Sequence, residues 1–180
     1  PVRILLVKTS SLGDVVHNLP VVSDLAKHFP DATIDWVVEE SFAEIPRLHP
    51  AIRQVIPVAV RRWRRTPLSS ATWREIGAIR RQLREAPYDA VLDTQGLLKS
   101  GLIAAQASGK HIGYDRASAR EPLAARCYDQ TITVTKAAHA IERNRLLAAA
   151  AFGDQLDSSL DYGIAATPLA ADWLPGGDYA

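Results

Sequence analysis

Short runs rich in Val, Ile and Leu recur along the chain, as in "RILLVK", "TIDWVV", "QVIPV", "AVLD", "HIGY" and "TITV", and longer stretches of helical period separate them. Near-continuous apolar runs of this length belong to strands covered on both faces, and helices between them are the crossovers that parallel strands require. The pattern predicts an α/β domain with strands at Arg3 to Lys8, Thr33 to Val38, Gln54 to Val58, Ala90 to Asp93, His111 to Tyr114 and Thr131 to Val134. Helices are expected from Asp14 to about Phe29, Ser69 to Ala86, Leu97 to Ala107, Glu121 to Tyr128 and His139 to Phe152. Pro20 lies inside the first of these, which predicts a kink or a short first segment. The fold expected is a Rossmann-like, doubly wound, mainly parallel sheet flanked by helices. A chain of 180 residues is long enough for one such domain.

After Gly153 the helical pattern gives way to "DQLDSSLDYGIAATPLAADWLPGGDYA", whose Pro, Gly, Asp and Ser content reads as a connector over residues 154–180. Residues 1–153 form the expected domain, and a further domain is expected to follow. The start, "PVRILLVKTS", lacks the order of a signal peptide, and Pro1 suits a removed initiator methionine. Cys127 is the single cysteine, so an internal disulfide is excluded, and no stretch is apolar for long enough to form a transmembrane helix. A cytosolic chain is expected. The formal net charge of +1 excludes nucleic-acid binding through bulk charge, so recognition of anions has to be local.

A doubly wound sheet binds ligands beyond the carboxyl ends of its strands, which directs attention to four segments. The first is "KTSSLGD", Lys8 to Asp14. Thr9, Ser10 and Ser11 offer hydroxyls to an anion, Gly13 permits a tight turn or a close ligand, and Asp14 is either a helix cap or a reacting carboxylate. Neither phosphate-loop template fits, because the segment has one glycine and no lysine after it. Glu39 or Glu40 at the end of the second strand keeps a ribose-binding, dinucleotide reading open. The second segment is "VRRWRRT", a loop carrying Arg61, Arg62, Arg64 and Arg65 around Trp63. Planar guanidiniums suit carboxylates and phosphates, so an anionic ligand is implied, with a solvated basic loop as the alternative. The third, "DTQGLLKS", places Gly96 at a turn and Lys99 in the first turn of a helix, where a cation is unfavourable unless an anion lies nearby. The fourth, "RASAREPLAARCY", brings Arg116, Arg120 and Glu121 to a helix start. The histidines His17, His28, His49, His111 and His139 are scattered and form no pattern of metal ligands.

The blocks "RILLVKTSSLGDVVHNLP", "DWVVEESFAEIP", "VIPVAVRRWRR", "YDAVLDTQGLLKS", "AREPLAARCY" and "HAIERNR" together resemble the amino-terminal half of the bacterial lipopolysaccharide heptosyltransferases of type I. These are two-domain glycosyltransferases of the GT-B type. The resemblance covers nearly everything up to Gly153 and implies one half of a GT-B fold. It implies transfer of L-glycero-D-manno-heptose from ADP-heptose to the first Kdo of Kdo2-lipid A, with inversion by direct displacement and Asp14 as general base. It further implies acceptor binding by Arg61, Arg62, Arg64, Arg65, Lys99 and Arg120, and a share of donor contact from Thr9, Ser10, Ser11 and Gly13. ADP-heptose enters as a co-substrate, with no cofactor or metal. Such an enzyme is expected to visit the cytoplasmic membrane face through local basic charge. Most donor contacts belong to the family's carboxyl-terminal domain, so the present chain by itself is expected to be inactive.

Overall fold

The computed structural model describes residues 1–85, 87–155 and 159–165. Six strands form one parallel sheet: β1 Arg3–Val7, β2 Thr33–Glu39, β3 Ile52–Val58, β4 Tyr88–Asp93, β5 Gly109–Tyr114 and β6 Gln130–Ile132. Their order across the sheet is β3-β2-β1-β4-β5-β6. The doubly wound α/β expectation therefore holds, and the winding reverses between β1 and β4, where Ile4 pairs with both Ile34 and Ala90.

The reason lies in β1. Ile4 and Leu6 pack on one face with Trp36, Leu92, Ile112 and Leu147, while Leu5 and Val7 pack on the other with Val37, Ile56, Val91 and Leu83. All four β1 residues are fully buried, as a strand between two helical layers must be. Helices α2 Leu19–His28 and α7 Ala140–Phe152 cover the first face, and α5 Ser70–Arg84 and α6 Leu98–Ala104 cover the second.

The helix expected from Asp14 breaks in two, α1 Leu12–Val16 and α2, at Asn18. Pro20 becomes the second residue of α2, where its missing N–H costs nothing. Several boundaries differ from expectation. Strand β3 starts earlier, at Ile52, and β6 ends at Ile132 because Val134 turns away to donate its N–H to Ser118 Oγ. The helix expected at Glu121 to Tyr128 is a 3-10 turn over Pro122–Cys127. Helix α6 is shorter than expected and stops at Ala104. Two short helices were not expected. One, α3 Glu44–Arg47, follows a 3-10 turn at Glu40–Phe42, and the other is α4 Val60–Trp63. The expected helix end at Ala86 and the connector residues 156–158 and 166–180 lie outside the described residues. Residues 159–165 run back along the domain, where Ala165 donates its N–H to Leu48 and Arg145 reaches the Ser159 carbonyl.

Candidate active site

Three loops from the carboxyl edge of the sheet converge beside the β1–β4 junction. The first leaves β1 and runs straight into α1, with Ser11 as N-cap. Asp14, in the first turn, accepts from the Ser11 N–H at 3.2 Å and from the Ser11 hydroxyl at 3.3 Å. The helix-capping reading is thus realised, and it is half of what the carboxylate does. Arg120, from the loop after β5, grips the other side in a bidentate ion pair at 2.9 and 3.2 Å. Burial works to raise the Asp14 pKa, but Arg120, the Ser11 N–H and the charge of Lys8 outweigh it and hold the carboxyl below the usual range. Asp14 is therefore ionised at neutral pH, and its side chain keeps 16% of its surface open to solvent.

The second loop, after β4, is built on the fully buried Asp93. One of its oxygens accepts from the N–H groups of Gln95 and Gly96, and the other from the hydroxyls of Ser100 and Tyr128 at 2.7 Å each. Gly96 turns the chain with φ at 67°, a left-handed conformation that favours glycine, as its place in the sequence foretold. Gly113 serves the same anchor, since a Cβ there would meet the Tyr128 ring at 2.4 Å. The loop then delivers two groups to the β1 loop. Gln95 Oε1 accepts from the Thr9 N–H at 2.7 Å and from its hydroxyl at 2.8 Å, and Lys99 Nζ donates to Ser10 Oγ at 2.9 Å.

The predicted residues thus fall into two sets. Asp14, Ser10, Ser11, Lys99 and Arg120 come together at the junction. Thr9 is buried with its hydroxyl committed to Gln95, so it ties the loops together. Gly13 is part of α1 with no positive φ, and a Cβ there would meet nothing within 4 Å, so this domain's own packing does not demand a glycine.

The arginine-rich segment is a second, separate surface, and it is a helical turn where a loop was expected. Its four guanidiniums are not equivalent. Arg62 pairs with both Glu40 and Glu75, and Trp63 Nε1 donates to Glu75 at 2.8 Å, so these residues brace α4 against α5. Arg61, Arg64 and Arg65 are exposed, with the Arg61 guanidinium over the Phe42 ring. Glu39 accepts the Arg61 N–H at 3.1 Å, so both acids of the dinucleotide reading are committed to α4.

Sequence reasoning passed over four polar residues beside the junction. Lys8 is 2% exposed and donates to the Thr94 carbonyl at 2.9 Å and to Asn144 Oδ1 at 3.4 Å. Burial lowers its pKa to about 8, and the carboxylates of Asp14 and Asp93 recover part of that loss. Asn144 also accepts from the Tyr114 hydroxyl, Gln95 is buried, and the Arg143 guanidinium stacks over the Tyr114 ring. Among the described residues, no three His, Cys, Asp or Glu side chains gather as a metal-ligand set, and no helix is long and apolar enough to cross a membrane.

Comparison with known proteins supplies the relatives. The model of glycosyltransferase family 9 (heptosyltransferase) matches residues 76–172, more than half of the chain. Lipopolysaccharide heptosyltransferase 1 of Pseudomonas aeruginosa is 48% identical over 98% of this chain and 50% of its own length. The enzyme of the same name from Escherichia coli K12 is 44% identical over 99% of this chain and 56% of its own length. The chain therefore spans about half the length of the curated relatives it matches. Among solved structures, E. coli heptosyltransferase WaaC with ADP superposes with a TM-score of 0.87 at 45% identity, over 89% of this chain and 51% of that one. E. coli ADP-heptose lps heptosyltransferase II, at 19% identity and a TM-score of 0.67, shares the fold. The sheet described above is one domain of the GT-B fold of these neighbours. With the family model, the sequence identity and the superposition in agreement, the chain belongs to glycosyltransferase family 9, the heptosyltransferases.

Proposed function

We propose that this chain is the acceptor-binding, base-bearing half of an enzyme that moves L-glycero-D-manno-heptose from ADP-heptose to the first Kdo of Kdo2-lipid A in lipopolysaccharide core synthesis. The observation that carries the reading is the ionised Asp14 at the sheet's reversal point, flanked by Arg120 and by the Lys99–Ser10 pair. A sugar hydroxyl is a poor nucleophile at neutral pH. A carboxylate within hydrogen-bond reach takes its proton as the oxygen attacks the anomeric carbon. ADP leaves from the opposite face, so the anomeric centre inverts and no glycosyl-enzyme intermediate forms. ADP-heptose is a co-substrate in this scheme, and no resident cofactor or metal is invoked. Solved structures of one relative, E. coli heptosyltransferase WaaC, with ADP and with ADP-2-deoxy-2-fluoro heptose support a nucleotide-sugar donor here.

Ser10, Ser11 and Gly13 are assigned a share of the donor contact, and Thr9 holds their loop in place through Gln95. The exposed Arg61, Arg64 and Arg65 suit the phosphates of the acceptor and the anionic inner leaflet, where the enzyme works peripherally. The test is Asp14→Asn in a full-length protein that joins this domain to its donor-binding partner domain. Turnover should fall by about two to four orders of magnitude while acceptor affinity changes little. A variant that keeps most of its turnover would return Asp14 to helix capping alone.

A further inference from the structure

Behind Asp14 lies a polar cavity at the carboxyl ends of β1, β4 and β5, lined by Lys8, Thr94, Gln95, Arg120, Arg143 and Asn144. Its walls are short of hydrogen-bond acceptors. Among the described residues, Thr94 Oγ1, Gln95 Nε2, Arg143 Nε and Asn144 Nδ2 are buried polar atoms without a partner. Each is a potential donor. Gln95 and Asn144 are 2% and 3% exposed, and in both the amide oxygen is already engaged, Gln95 by Thr9 and Asn144 by Lys8 and Tyr114. These acceptor contacts set the orientation of each amide and leave its NH2 group over. The buried Lys8 ammonium adds a positive charge on the same wall. A buried donor without a partner is costly, so four such groups around one cavity call for an acceptor.

We propose that this cavity is a carboxylate-binding subsite, in which the Gln95 and Asn144 amides, the Thr94 hydroxyl and the Lys8 ammonium hold the acid group of a sugar-acid acceptor. This deepens, and rests on, the transferase reading above. A carboxylate offers about four acceptor positions to these donors, and its charge is matched by the Lys8 ammonium on the same wall. Arg120 gives the subsite its link to the chemistry. It lines the cavity and also grips Asp14, so a carboxylate in the cavity competes with Asp14 for the same guanidinium. Filling the subsite loosens the pair that holds the base at low basicity, and the base gains proton affinity when an acceptor is bound.

Two isosteric variants separate this role from a structural one. Asn144→Asp keeps the oxygen that Lys8 and Tyr114 use, and Gln95→Glu keeps the oxygen that Thr9 uses. Each replaces the spare NH2 with an anionic oxygen. The chain is titrated calorimetrically with free Kdo, a 3-deoxy-2-keto sugar acid, with its methyl ester and with inorganic phosphate, thermal melts confirming that each variant is folded. The acid should bind saturably, the ester should not, and each variant should weaken the acid by about tenfold or more. Lys8→Met should weaken it similarly if Asn144→Asp and Gln95→Glu prove unfolded. Equal binding of acid and ester, undiminished binding in the variants, absence of saturable binding, or preference for phosphate over the acid would each overturn the subsite. Heptosyl transfer by full-length protein is followed in parallel. Wild-type transfer together with unaffected Kdo binding in Asn144→Asp removes the subsite and leaves the transferase standing. Kdo binding that Asn144→Asp abolishes, without transfer by the wild type, removes the transferase and leaves the subsite.

Discussion

Replacing Lys8 with methionine should stabilise the domain at neutral pH relative to its polar cost, and the size of the effect follows from burial. The ammonium is 2% exposed, and its pKa falls from 10.5 to about 8 because burial penalises the charge more than Asp14 and Asp93 reward it. The gap of about two and a half pH units, at ~1.4 kcal/mol each, corresponds to a penalty of about 3 kcal/mol for keeping Lys8 charged in the fold. The sign is fixed by linkage. Between about pH 8 and 10.5 the unfolded chain holds the proton that the folded chain has released, so the lysine's contribution to stability rises with pH across that window. Below pH 8 both states are protonated and the full penalty stands. Methionine removes the penalty at every pH, but leaves the Thr94 carbonyl without its donor, a loss on the order of 1–3 kcal/mol. The net gain at pH 7 is therefore about 0–2 kcal/mol. The change with pH is sharper, because the carbonyl's loss and every other titrating group cancel in the comparison. Urea unfolding of both proteins at pH 7 and at pH 10.5, at fixed salt, should show the variant's advantage shrinking by about 3 kcal/mol. A difference that stays constant over that range would mean that Lys8 titrates as a solvated lysine and that the burial argument fails.

Further outcomes follow from the same geometry. Arg120→Gln removes the strongest group holding the Asp14 carboxyl low, so the acidic limb of the full-length enzyme's pH–rate profile should move to higher pH; an unmoved limb would show that the observed ion pair does not set the base. Arg61→Gln with Arg64→Gln should weaken acceptor binding by about tenfold or more and leave ADP-heptose binding unchanged, since both side chains are exposed, on α4 and at its C-cap; loss of donor binding alone would place these arginines on the diphosphate. Arg62→Gln should instead speed amide exchange across α4 and the start of α5, because Arg62 bridges Glu40 and Glu75. Gly13→Ala should leave the melting temperature of this domain nearly unchanged, since nothing in it lies within 4 Å of the added methyl, while donor affinity in the full-length enzyme falls if the sugar passes close to that loop.

The sheet was legible because β1, β2 and β4 are buried on both faces, and double burial writes an uninterrupted apolar run into the sequence. Asp14 and Arg120 were legible through motif blocks, and Gly96 through its turn chemistry. The shape of the arginine segment was not. A four-residue helix has no room for an apolar period, and Arg62 is tied down by two glutamates distant in sequence. Lys8, Arg143 and Asn144 were overlooked for a related reason. A lysine ending a strand and an "ERNR" run in a helix both read as solvated surface; Lys8 and Asn144 are buried and Arg143 half-buried only because α7 crosses the end of β5. Local patterns report which face of an element is apolar. They do not report which polar residue the next element will cover.

Asp14 and Arg120 lie 106 residues apart along the chain, one in the first turn of α1 after β1 and the other on the loop that follows β5. In the folded sheet their meeting rests on β4 pairing with β1 and β5 pairing with β4, long-range contacts of the kind that form slowly. The ion pair should consequently form late in refolding. A probe that senses the ionisation of Asp14 during refolding should lag behind probes of helix content. A nascent domain would then hold the parts of its candidate site before it holds the site.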